Sequence, residues 1–90
     1  MPPITLDARP RVAGHFRLQW EEVQKAWVLL YPEGMVKLNG SAGEIMRRLD
    51  GAKTIEDVVG ELEHAFATPG LAQDVLNFLV MAQRQGWVQS

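Results

Sequence analysis

The stretch AWVLLYPEGMVKLN, residues 26–39, decides the fold. Residues 26–31 form a continuous apolar run that is rich in β-branched and aromatic side chains, which is typical of a strand covered on both faces. Residues 32–34, Pro-Glu-Gly, supply a turn, because proline presets φ and glycine accepts a positive φ. Residues 35–39 then alternate between apolar and polar, and their short length suits a sheet edge. The stretch therefore predicts a central strand followed by an edge strand.

An additional strand is predicted on the N-terminal side of this stretch. Phe16, Leu18 and Trp20 alternate with polar residues, which indicates a strand with one buried face. The preceding residues, 1–12, hold three of the five prolines and no such alternation. We therefore expect residues 1–12 to form a mobile N-terminal arm and residues 13–90 to form a single domain.

The second half of the chain predicts three helices. The first begins at Ser41, with Glu44 completing a capping box, and ends at residues 50–51, Asp-Gly. Thr54 caps the second helix, and the third spans residues 71–85. The order is βββααα. This order predicts an α+β fold, a small winged-helix-like domain in which a three-stranded antiparallel sheet is followed by three helices.

Composition excludes several classes of chemistry. The 90 residues include no cysteine, so thiolate nucleophiles, disulfides and cysteine-ligated metals are excluded. The longest apolar run, residues 26–31, is far shorter than the roughly 18–20 residues of a membrane helix. No secretory signal is visible at the N-terminus. We therefore expect a cytoplasmic protein that does not bind membranes.

Three local motifs resemble catalytic or ligand-binding signatures, but each has a structural explanation. The spacing of residues 40–43, Gly-Ser-Ala-Gly, is wrong for a nucleophile elbow. Residues 51–54, Gly-Ala-Lys-Thr, lack the glycines of a phosphate loop and follow a helix. His15 and His64 are 49 residues apart and belong to no metal-ligand pair. The sequence therefore predicts a non-enzymatic protein with no catalytic residue, cofactor or metal.

The charge pattern argues against nucleic acid, although winged helices often bind DNA. The net charge is −2, the second predicted helix is acidic, and the third carries Asp74 and one basic residue, Arg84. Such a surface repels phosphate.

An edge strand beside an apolar helix is what strand addition of an extended peptide requires. Residues 35–39 and the third helix would then form a peptide groove. The same residues could instead fill the core or a homodimer interface, and this pattern leaves both interpretations open. A monomer or a weak homodimer formed by strand or arm exchange is compatible with it, as is a DNA-binding or dimerisation module as the alternative function.

Blocks along the whole chain resemble the PqqD family of pyrroloquinoline quinone (PQQ) biosynthesis. The resemblance covers roughly residues 4–90. It departs from the family pattern at Glu21, where aspartate is commoner, and at Gly43, where another alanine is usual. The blocks that carry the resemblance are Leu18-x-Trp20-Glu21, Val28-Leu29-Leu30-Tyr31-Pro32-Glu33-Gly34, Leu38-Asn39-x-Ser41-Ala42-x-Glu44-Ile45, Leu49-Asp50-Gly51, Asp74-Val75-x-x-Phe78-Leu79 and Gly86-Trp87-Val88.

The resemblance implies a peptide chaperone without catalytic activity. PqqD-like proteins bind the precursor peptide PqqA and present it to the radical SAM enzyme PqqE. They typify the recognition element of ribosomally synthesized and post-translationally modified peptide (RiPP) pathways, in which the third strand and third helix hold the leader peptide. Carried to this chain, the peptide-binding residues are Met35, Val36, Lys37, Leu38, Asn39, Val75, Leu76, Leu79, Val80 and Gln83.

Overall fold

The main sheet has three antiparallel strands, with the apolar run at its centre. The computed structural model describes residues 4–90. Strand β3 (Ala26–Tyr31) pairs on one side with β2 (Arg17–Glu21) and on the other with β4 (Gly34–Lys37). The predicted central strand is thereby confirmed, and β4 is the predicted third strand, shorter than residues 35–39.

The segment before the sheet packs along the domain. Strand β1 (Arg11–Val12) pairs antiparallel with β5 (Val88–Gln89), so a second, two-stranded sheet joins the two ends of the chain. Upstream of β1, backbone carbonyls of Leu6 and Ala8 accept hydrogen bonds from the start of the second helix, at 3.0 and 2.9 Å. The predicted boundary between arm and domain, after residue 12, coincides with the end of β1. Because β1 pairs with β5, the last two residues of the predicted arm form part of a sheet. Residues 1–3 of the predicted arm lie outside the described residues.

Three helices follow the sheet, as predicted: α1 (Gly40–Met46), α2 (Ile55–Ala65) and α3 (Ala72–Arg84). The predicted cap of α1 is wrong. Asn39, and not Ser41, is the N-cap, because the Asn39 side chain accepts a hydrogen bond from the Ala42 backbone N–H at 2.8 Å. Asparagine is among the strongest N-cap residues, and a cap at Asn39 starts the helix two residues earlier than a cap at Ser41 would.

The other two helices begin with different devices. Thr54 caps α2 as predicted, and Asp57 completes a capping box with it. Leu71, which precedes α3, makes no side-chain cap. Its backbone N–H instead donates to the Glu63 carboxylate at 3.0 Å, so α2 supplies the acceptor at the start of α3.

The core lies between the helices and one face of the sheet. Leu29 of β3 is fully buried there, together with Leu38 just after β4. Val28 is also fully buried but points to the opposite face, between its cross-strand partners Gln19 and Lys37. The helical side chains of this core are Ala42, Ile45, Met46, Ile55, Val58, Val59, Leu62, Val75, Leu79 and Ala82.

Helix α1 approaches the sheet closely at a glycine. A Cβ atom added at Gly43 would lie 2.9 Å from Cδ1 and 3.2 Å from Cβ of Trp27 on β3. The indole of Trp27 is also held by an edge contact with Trp20, whose ring centroid is 5.5 Å away, and by the Arg47 guanidinium at 6.0 Å. The close packing of Gly43 against Trp27 therefore explains why this chain has glycine where alanine is usual in the family. The sequence alone did not indicate this contact.

Replacing Gly43 by alanine is expected to destabilise the domain. The overpacking cost of about 1–3 kcal/mol is at least as large as the helix-propensity gain of about 1 kcal/mol. The matched control is Gly60→Ala, since Gly60 lies within α2 with open space around the added Cβ. Urea unfolding checks both variants. A G43A variant as stable as G60A would contradict this account of the α1–sheet contact.

Candidate functional site

Strand β4 is a free edge of the main sheet. The strand order is β2-β3-β4, so nothing in the described chain pairs with the outer side of β4. Met35 is 51% exposed and Lys37 is exposed, whereas Val36 is half-buried and Leu38 is buried. The edge thus presents its apolar residues alternately to the core and to the open face of the sheet.

The backbone of β4 alternates in the same way. The N–H of Leu38 donates to the carbonyl of Trp27 at 3.0 Å, so these two residues form a hydrogen-bonded pair of the ladder. Such pairs recur at every second residue of an antiparallel ladder, which makes Val36 opposite Leu29 the next one. Met35 and Lys37 therefore direct their N–H and C=O groups away from β3. The edge offers two donors and two acceptors to an added strand.

The predicted α3 residues fall into two groups. Val75 and Leu79 are buried in the core, at 2% and 0% exposure, and so present almost no surface. Leu76 and Gln83 are half-buried and Val80 is 36% exposed. On the strand side, Leu38 is likewise a core residue and Asn39 is the cap of α1. The structure therefore gives several of the ten predicted residues a structural role, in the core or at the helix cap.

A cleft of about 530 Å³ opens at the end of β4. It lies between the start of α1, the end of α2 and the start of α3. Its apolar lining includes Phe66, which is 52% exposed, over the buried side chains of the core. Gly40 and Ser41, the first two residues of α1 after its cap Asn39, form one wall. The complete lining is Gly40, Ser41, Glu44, Ile45, Leu62, Phe66, Thr68, Leu71, Asp74 and Val75.

Only one side of α3 faces this cleft. Successive helical residues are rotated by about 100°, so the side chains on either side of the buried row Val75–Leu79–Ala82 form two flanks. The cleft flank consists of Leu71, Asp74 and Phe78, of which Leu71 and Asp74 line the cleft. The far flank consists of Leu76, Val80 and Gln83. Three of the predicted groove residues on α3 therefore lie on the far flank. The cleft lies beside the opposite flank, which contains Leu71 and Asp74.

Two carboxylates stand at the rim of the cleft. Glu44 accepts hydrogen bonds from Arg48 at 2.7 Å and from Arg47 at 3.3 Å, and the bond from Arg48 is the main cause that lowers the pKa of Glu44. Its charge is therefore present at neutral pH and offset by two guanidinium groups. Asp74 lies exposed in the first turn of α3, and no Lys or Arg in residues 4–90 forms a salt bridge with it. The uncompensated charge of the rim is negative.

The titratable side chains elsewhere do not converge on a reaction centre. His15 packs against Phe16, with ring centroids 4.5 Å apart, and His64 is exposed in the last turn of α2. Within residues 4–90, no three His, Asp or Glu side chains come together as metal ligands. In the same residues no helix is long and apolar enough to cross a membrane. The described residues instead form an open strand edge and an apolar cleft.

Sequence reasoning missed the cleft. The sequence pattern places Ile45, Leu62 and Phe66 on the apolar faces of two helices. It does not show that these residues meet in a cleft, because that depends on how the helices pack. One signal could have indicated Phe66. It directly precedes the helix break Ala67-Thr68-Pro69-Gly70, so it stands at a helix end, where full burial is harder to achieve.

These features define the class of protein: a small winged-helix-like α+β module with an unpaired sheet edge beside a helical cleft. Residues 26–88 match the family model described as "Coenzyme PQQ synthesis protein D (PqqD)". The chain belongs to this family, and the resemblance found in its sequence is confirmed.

Two relatives match this chain in sequence over nearly its whole length. The "PqqA binding protein" of Pseudomonas paraeruginosa strain PA7 is 45% identical over 86 residues, which are 94% of each chain. That of Azotobacter vinelandii is 43% identical over 90 residues, 99% of this chain and 98% of the relative. The solution NMR structure of the PqqD truncation of Methylobacterium extorquens PqqCD, described as a RiPP recognition element, superposes with a TM-score of 0.78 over 100% of both chains. Its identity is 23%, so this likeness establishes the shared fold.

The structure assigns Asn39 to the cap of α1, and its variants can test that role. Asn39→Ala removes the acceptor for the Ala42 N–H and is expected to lower the free energy of unfolding by about 1 kcal/mol. Asn39→Asp keeps the acceptor and is the matched control. Chemical denaturation of the three proteins checks the expectation. Equal stability of N39A and the parent protein would mean that the cap bond contributes nothing.

Proposed function

We propose that this protein is a non-enzymatic carrier of a PqqA-type precursor peptide, which it binds by strand addition along β4. The observation that carries the proposal is the outward backbone of Met35 and Lys37 at a free sheet edge. An extended peptide that adds to such an edge gains main-chain hydrogen bonds without needing a particular sequence. The names of the relatives, "PqqA binding protein", support PqqA as the peptide.

The edge alone provides only modest affinity. Each backbone hydrogen bond contributes about 0.5–1.5 kcal/mol net, and ordering the peptide opposes this gain. Two outward donors and two outward acceptors therefore need help from buried side chains. The proposed site accordingly combines the edge, residues 35–39, with the cleft flank of α3 defined above. Val75 and Leu79 support this surface from the core, and the far flank takes no part.

A short edge also suits the second half of the proposal, which is delivery of the peptide to the radical SAM enzyme PqqE. Strand β4 has four residues, so it engages a short segment of the peptide and leaves the remainder accessible. The carrier supplies no reacting group in this scheme. The chemistry belongs to the enzyme that receives the peptide.

Met35→Pro tests strand addition. It removes an N–H that points away from the sheet, a position at which edge strands tolerate proline, so the fold should persist while PqqA affinity falls about tenfold. Met35→Ala keeps the N–H and should bind within about twofold of the parent protein. Fluorescence anisotropy with labelled PqqA measures the affinity, and circular dichroism verifies the fold.

Val36→Pro is the contrasting variant. Its N–H belongs to the ladder with β3, so this substitution should lower the unfolding midpoint, unlike Met35→Pro. Strand addition along β4 is refuted if folded M35P binds PqqA as tightly as M35A. Circular dichroism melting distinguishes loss of fold from loss of binding in both variants.

Val80→Ala tests which side of α3 meets the peptide. Val80 lies on the far flank and is 36% exposed, so its truncation should leave PqqA affinity within about twofold of the parent protein. The same titration checks it. A loss of tenfold or more would return the peptide to the flank with Leu76 and Gln83 and would sink the assignment to the cleft flank.

A further inference from the structure

Strand addition by itself does not fix the register of the peptide. Backbone hydrogen bonds are the same for every residue, and a slip of two residues restores all of them with the side chains on the same faces. The outward groups of Met35 and Lys37 are therefore equally satisfied by several alignments. A carrier that presents a defined part of its peptide needs a feature that recognises one side chain.

The cleft lies within reach of the added strand. Gly40 and Ser41 line it and follow Lys37 by only three and four residues, a span of at most about 14 Å even if fully extended. Addition to an antiparallel sheet favours an antiparallel peptide, since antiparallel ladders are slightly more stable per residue. The end of β4 then meets the part of the peptide that lies N-terminal to the paired segment.

The chemistry of the cleft selects a particular kind of side chain. Its floor is apolar, with Ile45, Leu62 and Val75 buried and Phe66 half-exposed above them. Its volume of about 530 Å³ is within the range of sites that enclose small ligands, about 300–1,000 Å³, so a large side chain fits. A guest that covered Phe66 would remove one of the largest exposed apolar side chains from water.

The rim adds a second requirement. Asp74 lies exposed next to the apolar lining and forms no salt bridge with a Lys or Arg of the described chain, while Glu44 is already paired with Arg47 and Arg48. A cation of the guest would therefore find Asp74 available. A carboxylate of the bound peptide at the same position would be repelled by Asp74.

We propose that this cleft is an anchor pocket that fixes the register and direction of the bound peptide. It takes one large apolar side chain, aliphatic or aromatic, that neighbours a Lys or Arg and lies N-terminal to the residues paired with β4. This inference rests on the proposed function and deepens it, because it names the side chains that the carrier recognises.

The test combines variants of the full-length protein with single-alanine variants of a labelled PqqA peptide. Phe66→Ala should weaken binding about tenfold, and one large apolar residue of the peptide should lose the same factor when changed to alanine. The two changes together should cost no more than either alone, since they remove the same contact. Val23→Ala, at a 94% exposed site in the β2–β3 turn, is the control for the protein and should bind normally.

A charge exchange tests the rim. Asp74→Lys should weaken the parent peptide about fivefold, and the peptide whose neighbouring Lys or Arg is changed to Glu should recover that loss in the variant protein. Glu56→Lys is the matched control, because Glu56 is likewise exposed in the first turn of a helix. Nuclear Overhauser contacts between the anchor residue and Phe66 give its position relative to the peptide residues next to Met35.

The outcomes separate the two proposals. If M35P impairs binding while F66A and D74K bind normally, the anchor pocket is wrong and strand addition stands. If F66A impairs binding while M35P does not, the cleft binds the peptide without strand addition, and the register argument fails. An anchor residue found C-terminal to the paired segment overturns the proposed direction.

Discussion

The pairing of β3 with two neighbours, and the burial of Leu29 beneath the helices, is the contact on which the structure depends. This strand is the only one hydrogen-bonded on both sides in the main sheet of the described chain. Its core face receives α1 through the close approach of Gly43 to Trp27, and α1 in turn contacts α2. The domain has five short strands and three helices, and β3 is the central strand of its larger sheet.

Because the main sheet has only three strands, the outer side of β4 is unpaired in the described chain. A three-stranded sheet has two edges, and no segment in residues 4–90 is added beside β4. Natural proteins usually blunt such an edge, and here the strand is short and carries Lys37. Those devices discourage aggregation but leave the outward N–H and C=O groups of Met35 and Lys37 available. The edge and the neighbouring cleft are therefore two incompletely used surfaces of one small domain.

The expectations drawn from the sequence differed in how local their causes were. Apolar runs, alternation and the Pro-Glu-Gly turn correctly predicted the order of three strands and three helices, since each signal is contained in a few consecutive residues. The predicted cap of α1 was wrong because asparagine and serine are both good N-cap residues. Only the course of the backbone after β4 selects Asn39 over Ser41. The β1–β5 pair escaped notice because it joins residues from opposite ends of the chain.

By itself, the sequence determined the fold class, the central and edge strands, and the family, because periodicity and motif blocks are properties of consecutive residues. Only the tertiary structure decided which backbone groups of β4 face outward, since that follows from the register between β3 and β4. It also decided that the cleft adjoins Leu71 and Asp74 and not Val80 and Gln83. The apolar residues of a helix predict how much of its surface is buried. Which of its flanks stays open depends on where its neighbours pack.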